Sequence, residues 1–268
     1  MKEISRSIPE PHRQFLQRLV DVLKTDTRIV GVAIGGSYLT NSMDEFSDLD
    51  LVIAVEPYAY SIVLSERQTI AASLGNLLHA FTGEHVGEPR LLICLYDEPL
   101  LHVDLKFVSL EDAAKRVEDP AILWERDGRF KKALEQGNPE YPMPDPQWIE
   151  ERFWIWIHYS ATKIGRGELF EAMESLSFLR VNVLGPLAIY RAGGRPAGVR
   201  KIEMIVPEFA NKLRPTVANY ESADCLRALR AAVELYRSLR VRADGTEIES
   251  DPERAAIEFL SKIEERFR

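Results

Sequence analysis

Cysteine is nearly absent: the 268 residues hold two, Cys94 and Cys225, far apart and each in an apolar setting. That excludes a disulfide-stapled fold and a thiolate metal site, and it reads as a pair of reduced, buried thiols in a cytoplasmic protein. Long apolar runs are missing too. None reaches the roughly 18 residues a membrane-spanning helix needs, and the opening MKEISRSIPEPH lacks the apolar segment of a secretory signal. Positive charge is in short supply, with 34 Lys and Arg against 42 Asp and Glu and a net charge of −8. Basic clusters are sparse, Arg195 to Lys201 being among the densest. An acidic chain repels a polyanion unless a local patch dominates, so neither nucleic acid nor a membrane surface is the expected partner. A small molecule, cationic if charged, suits this balance better. There is no internal repeat and no low-complexity tract.

What the chain does have is concentrated in residues 31 to 55, GVAIGGSYLTNSMDEFSDLDLVIAV. Two apolar runs, Ile29 to Ile34 and Leu51 to Val55, predict neighbouring strands of a buried sheet. Gly35 and Gly36 let the backbone turn sharply and approach a ligand with no Cβ in the way. Ser37 is expected at the start of a short helix running to Met43, where free N–H groups favour a phosphate. Ten residues separate Ser37 from Asp48-Leu49-Asp50. Strand alternation turns Asp48 and Asp50 to one face and Leu49 into the core. Like charges so close raise each other's pKa, and a hard divalent cation with oxygen ligands, Mg²⁺ first, relieves that conflict. Two such ions about 3.5–4 Å apart are the usual clamp for in-line displacement at phosphorus.

Gly-Gly-Ser, ten residues, then Asp-Leu-Asp inside an apolar strand resembles the signature of the DNA polymerase β-type nucleotidyltransferase superfamily. The resemblance implies an α/β (α+β) domain with a mixed sheet and an NTP substrate bound by Gly36 and Ser37. It also implies two Mg²⁺ ions held by Asp48, Asp50 and a third carboxylate on a later strand. Leu100 to Val108 alternates as a strand, with Asp104 on the face of His102 and Lys106. Asp104 is therefore the candidate third ligand, and a candidate acceptor for the proton of an attacking hydroxyl.

Elsewhere the first part of the chain predicts a helix over Pro11 to Lys24 and another over Ser61 to Phe81. Strands are expected at Arg90 to Tyr96 and Ile122 to Trp124, and a short helix capped by Ser109 runs through Lys115. Residues 1 to 9 are expected to be loosely attached. Between Gly137 and Pro146 four prolines fall in ten residues, which suits neither helix nor central strand. The reading is a catalytic domain over 1–136, a Pro-rich linker over 137–146 and a substrate-binding all-α bundle of about five helices over 147–268. In the bundle one helix is expected from Pro146 to Ile164, one from Glu168 to Tyr190, one from Ser222 to Arg240 and the last from Asp251.

The stretch Trp154 to Leu184, with Lys163-Ile164-Gly165-Arg166-Gly167-Glu168-Leu169 at its centre, resembles the helical domain of bacterial antibiotic nucleotidyltransferases. Those enzymes transfer a nucleoside monophosphate, usually AMP, to a hydroxyl of a lincosamide or an aminoglycoside. On that resemblance ATP is the expected NTP, Lys163 a candidate triphosphate ligand and Glu168 a candidate acceptor contact or auxiliary base. Each also has a plain alternative: a solvated lysine at a helix C-terminus, and a first-turn acid complementing the helix dipole. Trp148, Trp154, Trp156 and Tyr159 read mostly as core, with one ring available to an acceptor pocket, and His158 as a packed histidine. Two other functions compatible with the motif are AMPylation of a partner protein and a non-catalytic nucleotide-binding module.

Overall fold

The computed structural model describes residues 8–240 and 247–267. The chain divides into two units, Met1–Tyr141 and Pro142–Arg268, so the division falls inside the Pro-rich stretch. Each unit has its own apolar core.

In the first unit, α1 (Glu10–Leu23) buries Phe15, Leu16, Leu19, Val20 and Leu23, an i, i+1, i+4, i+5, i+8 stripe that lies against the sheet. β1 (Ile29–Ile34) is buried throughout, as its unbroken apolar run requires. β2 (Leu49–Val55), α2 (Tyr60–Ser73), β3 (Asn76–Gly83), β4 (Glu88–Asp97), β5 (Leu101–Ser109), β6 (Ala121–Glu125) and α3 (Arg129–Leu134) follow. The six strands form one sheet in the order β3-β4-β5-β2-β1-β6. β2 and β5 run parallel and all other neighbours antiparallel, so the sheet is mixed.

Three expectations change. The helix expected from Ser61 to Phe81 stops at Ser73, and Asn76–Gly83 is instead an edge strand. Leu74, Leu77 and Leu78 happen to fall at helical spacing, but Gly75 breaks the helix and the chain then pairs with β4. The helix expected from Ser37 to Met43 is a single 3₁₀ turn, Gly36–Tyr38, too short to sum a helix dipole. Likewise, of the helix expected from Ser109 through Lys115 only Leu110–Asp112 is helical, and the Ser109 side chain caps nothing. The loose attachment expected for residues 1 to 9 falls mostly outside the described residues, and Ile8 is buried.

The second unit opens with α4 (Pro146–Gly165), whose start is set by Pro146 at its first turn and by the Asp145 carboxylate. That carboxylate accepts from the Gln147 and Trp148 amides at 2.9 and 3.1 Å. The helix expected from Glu168 to Tyr190 is interrupted. α5 (Leu169–Leu179) passes through a π turn at Arg180–Leu184 into α6 (Gly185–Arg191). Pro186 has no N–H to give the preceding turn, and a locally wider turn accommodates its ring. The short α7 (Ile202–Ile205) and α8 (Pro207–Leu213) were not foreseen. α9 (Ser222–Leu239) and α10 (Ser250–Glu265) complete the unit.

Among the described residues one charged side chain is fully inside this bundle. Glu150 accepts from Trp154 Nε1 at 3.1 Å and from the Tyr236 hydroxyl at 2.5 Å, and Arg240 Nε lies 3.4 Å away as an ion-pair partner. Arg240 also reaches Glu253 on α10 at 2.5 Å, so one carboxylate ties α4 to α9 and, through Arg240, to α10. Burial, then the Glu150 charge, pushes the Tyr236 hydroxyl pKa up, which keeps it a donor. Glu150→Ala leaves the buried Tyr236 hydroxyl and Trp154 indole without their acceptor, and Arg240 with Glu253 alone. It should lower unfolding stability by about 3–5 kcal/mol in urea titration; a loss below about 1 kcal/mol would mean water satisfies those groups and the tie is dispensable.

Candidate active site

The parallel pairing of β2 with β5 is the origin of the site. It sets Asp50 opposite Asp104, with Leu49 opposite Val103 and Leu51 opposite Leu105. The leucines and Val103 are buried on the α1 and α2 side, while both aspartates are half-buried on the other face. Neighbouring strands stand about 4.8 Å apart, so the two carboxylates are side by side. His102, also on this face, has Nε2 3.0 Å from Asp104 Oδ1. Lys106, two residues further on, is held by Glu88 at 2.8 Å. Hydrogen bonds from Arg90, then the Lys106 ammonium, hold the Glu88 carboxyl down to about 2 against the opposing effect of burial. Lys106 thus answers Glu88.

The glycine turn stands directly over Asp50. Gly35 N–H donates to the Asp50 carbonyl at 2.8 Å, extending the β1–β2 pairing by one bond. Gly36 has φ +60°, and a Cβ there would run into Asp50 Oδ2. Position 36 therefore needs glycine twice, for its backbone and for the space the carboxylate occupies. The Gly36 amide is not directed at solvent: it donates to Glu118 Oε1 at 2.9 Å. The Ser37 carbonyl accepts from the Ser42 amide at 3.1 Å, which folds the following loop back on the turn. Because the helix is only a 3₁₀ turn, a phosphate here would be met by individual amides.

Asp48 lies immediately before β2, half-buried. The loop leading to it is braced by Asp44 and Ser47, whose side chains bond each other and the loop's own amides. It is also anchored to α1. His12, 2% exposed, places Nε2 2.7 Å from the Ser47 carbonyl, which requires the proton on Nε2, while Nδ1 has no partner among the described residues.

The donor chemistry, two carboxylates in register with a third two residues upstream, suits a hard divalent cation. Among the described residues no three His, Cys, Asp or Glu side chains converge closely enough to hold an ion alone.

Lys163 and Glu168 lie in the second unit and meet each other. Lys163 Nζ is 2.7 Å from Glu168 and 3.2 Å from Glu171, and Arg166 lies 2.8 Å from Glu168. The Glu168 and Glu171 carboxylates raise the Lys163 pKa, so its charge is fixed. The Tyr159 hydroxyl donates to Glu171. Of the aromatic set only Trp154 is fully buried; Trp156 is partly covered against Phe178, and Trp148 and Tyr159 are exposed. His158, expected to be packed, is exposed with its ring 4.4 Å from that of Phe259. Cys94 and Cys225 are buried and free, and burial pushes the Cys94 thiol up to about 12.

Two residues at the site escaped the sequence reading. His12 carried a signal, since it sits three and four residues before Phe15 and Leu16 on the apolar stripe of α1, where a polar group needs a reason. Glu118 carried none, being one acid in a polar loop, 82 residues from the amide it meets.

Residues 10–261 match the sequence model of a family described as streptomycin adenylyltransferase. Among solved structures, an aminoglycoside 6-adenyltransferase from Bacillus subtilis is similar at 16% identity, covering 93% of this chain and 97% of that one, with a TM-score of 0.34. A nucleotidyltransferase-like protein from Exiguobacterium sibiricum 255-15 is similar at 14% identity, covering 84% and 74%, with a TM-score of 0.36. A comparison with curated proteins finds no match.

The glycine turn gives a direct test of this geometry. Gly36→Ala should cost only about 1–2 kcal/mol of stability for the left-handed backbone. Its methyl displaces the Asp50 carboxylate, and transfer activity should fall on the order of 10²-fold, as misplacement of a reacting group does. Near-normal turnover in a folded Gly36→Ala protein would show that Asp50 is not held in place for chemistry.

Proposed function

Because the chain belongs to the streptomycin adenylyltransferase family and is thereby an adenylyltransferase, we propose that it transfers AMP from ATP to a hydroxyl of an antibiotic of the aminoglycoside or lincosamide type. The observation that carries this reading is the register of Asp50 with Asp104 beneath the Gly35–Gly36 turn. A net charge of −8 favours a cationic acceptor, as aminoglycosides are, over a polyanion.

In this reading Asp48, Asp50 and Asp104 would hold two Mg²⁺ ions together with the triphosphate. When bound, such ions neutralise phosphate charge and lower the pKa of a coordinated hydroxyl. Gly36 and Ser37 offer main-chain amides to the terminal phosphates, and Gly36 leaves Asp50 its space. An acceptor hydroxyl attacks the α-phosphorus in line, pyrophosphate leaves, and Asp104 takes the hydroxyl's proton. His102, at hydrogen-bond distance from Asp104, orients that carboxylate. Most of the rate enhancement then comes from positioning and charge neutralisation. Lys163 would reach a phosphate, and Glu168 an acceptor cation, only by exchanging the ion pair they now make with each other.

Purified protein given ATP, Mg²⁺ and a panel of aminoglycosides and lincosamides should release pyrophosphate with at least one acceptor, lose that activity in EDTA and regain it with Mg²⁺ or Mn²⁺. Full activity in excess chelator would remove the metal from the scheme. Asp50→Asn should lower kcat about 10²-fold or more with an unchanged or higher Tm, because like charges in register repel. Asp104→Asn should cut turnover by about 10²–10⁴-fold while weakening nucleotide binding less. Turnover within a few-fold of the parent would move the third carboxylate elsewhere.

A further inference from the structure

The contact between Glu118 and the Gly36 amide has no role in the scheme above, yet it lies where that scheme needs a phosphate. Gly36 N–H donates to Glu118 Oε1 at 2.9 Å, and a Cβ on Gly35 would stand 2.5 Å from the same oxygen. Glu118 is held there by the sheet. β6 begins at Ala121, opposite Ile34, one residue before Gly35, so the chain entering β6 passes beside the turn. Just upstream Arg116 pins the segment, donating to the Ala114 and Leu134 carbonyls at 3.1 and 2.9 Å and pairing with Asp119 at 2.5 Å. The carboxylate is thus delivered from both sides to the amide that a triphosphate oxygen would claim.

We propose that Glu118 is a built-in competitor of the nucleotide: its carboxylate occupies the oxyanion position at Gly36, must leave when the triphosphate binds, and returns to help expel pyrophosphate. The inference rests on the phosphate-binding reading of the Gly35–Gly36 turn. Two physical arguments support it. A carboxylate oxygen and a phosphate oxygen make the same charge-assisted bond to a main-chain amide, so one N–H satisfies one or the other. In addition, Glu118 and Asp50 both stand against this turn, so an incoming phosphate must take space that Glu118 now fills. An occupied site reduces apparent affinity by the fraction of molecules in which it is free. The consequence is a site that binds its charge-neutralised nucleotide only moderately and holds the smaller, highly charged pyrophosphate poorly.

The test is nucleotide binding without turnover. The dissociation constant of a non-hydrolysable ATP analogue with Mg²⁺, and separately that of Mg-pyrophosphate, are measured by calorimetry on the full chain for the parent, Glu118→Gln, Glu118→Ala and Gly36→Ala. Glu118→Gln keeps the shape but loses the charge, and Glu118→Ala removes the acceptor. Both should bind the analogue and pyrophosphate more tightly, on the order of tenfold, and pyrophosphate should become a stronger product inhibitor. Circular dichroism establishes that each variant is folded, and if Glu118→Ala is not, Glu118→Gln decides. Weaker binding in both would make Glu118 a nucleotide or metal ligand and overturn the proposal, as would unchanged binding. Gly36→Ala separates the two levels. If it leaves the analogue's affinity intact, the phosphate-cradle reading itself fails. If it weakens binding while the Glu118 variants do not tighten it, only the competitor role fails.

Discussion

The site depends on one parallel strand pairing. Among the described residues β2 and β5 are the only parallel neighbours in the sheet of the first unit, and their register fixes Asp50 beside Asp104. Side-chain period in a strand is two, so a slip of one residue would turn either aspartate into the core and a leucine or valine out. That slip is forbidden by the buried residues themselves: Leu49, Leu51 and Ile53 on β2, and Val103, Leu105 and Phe107 on β5, all close to zero exposure. The apolar face is what aligns the charged one. Two acids in register would otherwise be an unfavourable pair, and the packing below them is what imposes their proximity.

The two glycines extend the same logic upward. Gly35 continues the β1–β2 ladder by one hydrogen bond, and Gly36 leaves it with a positive φ in the space directly above Asp50. The bare main chain there is shared between carboxylates, Asp50 filling the room a methyl would take and Glu118 meeting the amide. In the second unit the charges are arranged differently. Glu150 is buried with donors on three sides, while Lys163, Glu168 and Glu171 neutralise each other near the surface. The first unit concentrates negative charge at its site, and the second balances charge locally.

The features legible in the sequence were those whose cause is local. Ile29 to Ile34 is a strand because it is six consecutive apolar residues, and α4 starts at Pro146 because Asp145 and Pro146 form a start signal. The alternation of β5 put His102, Asp104 and Lys106 on one face before any pairing was known. What could not be read depends on contacts far apart in the chain. Leu74, Leu77 and Leu78 fall at helical spacing, and it is the break at Gly75 followed by pairing with β4 that makes β3 a strand. The π turn at Arg180–Leu184 hides inside a good helical pattern, with Pro186 as the one warning. Glu118 has no local mark at all, since its position follows from where β6 joins β1.

The strand order has a consequence in time as well as in space. β1 pairs with β2, and β3, β4 and β5 form a meander in which each strand pairs with the next; all of these contacts are antiparallel between consecutive strands. Such pairings close short loops and form early, whereas a parallel pairing has to wait for distant segments to meet. The sheet is thus two locally paired blocks, one carrying Asp50 and the other Asp104, and the seam between them is the β2–β5 ladder. The two aspartates become neighbours only where that ladder is formed.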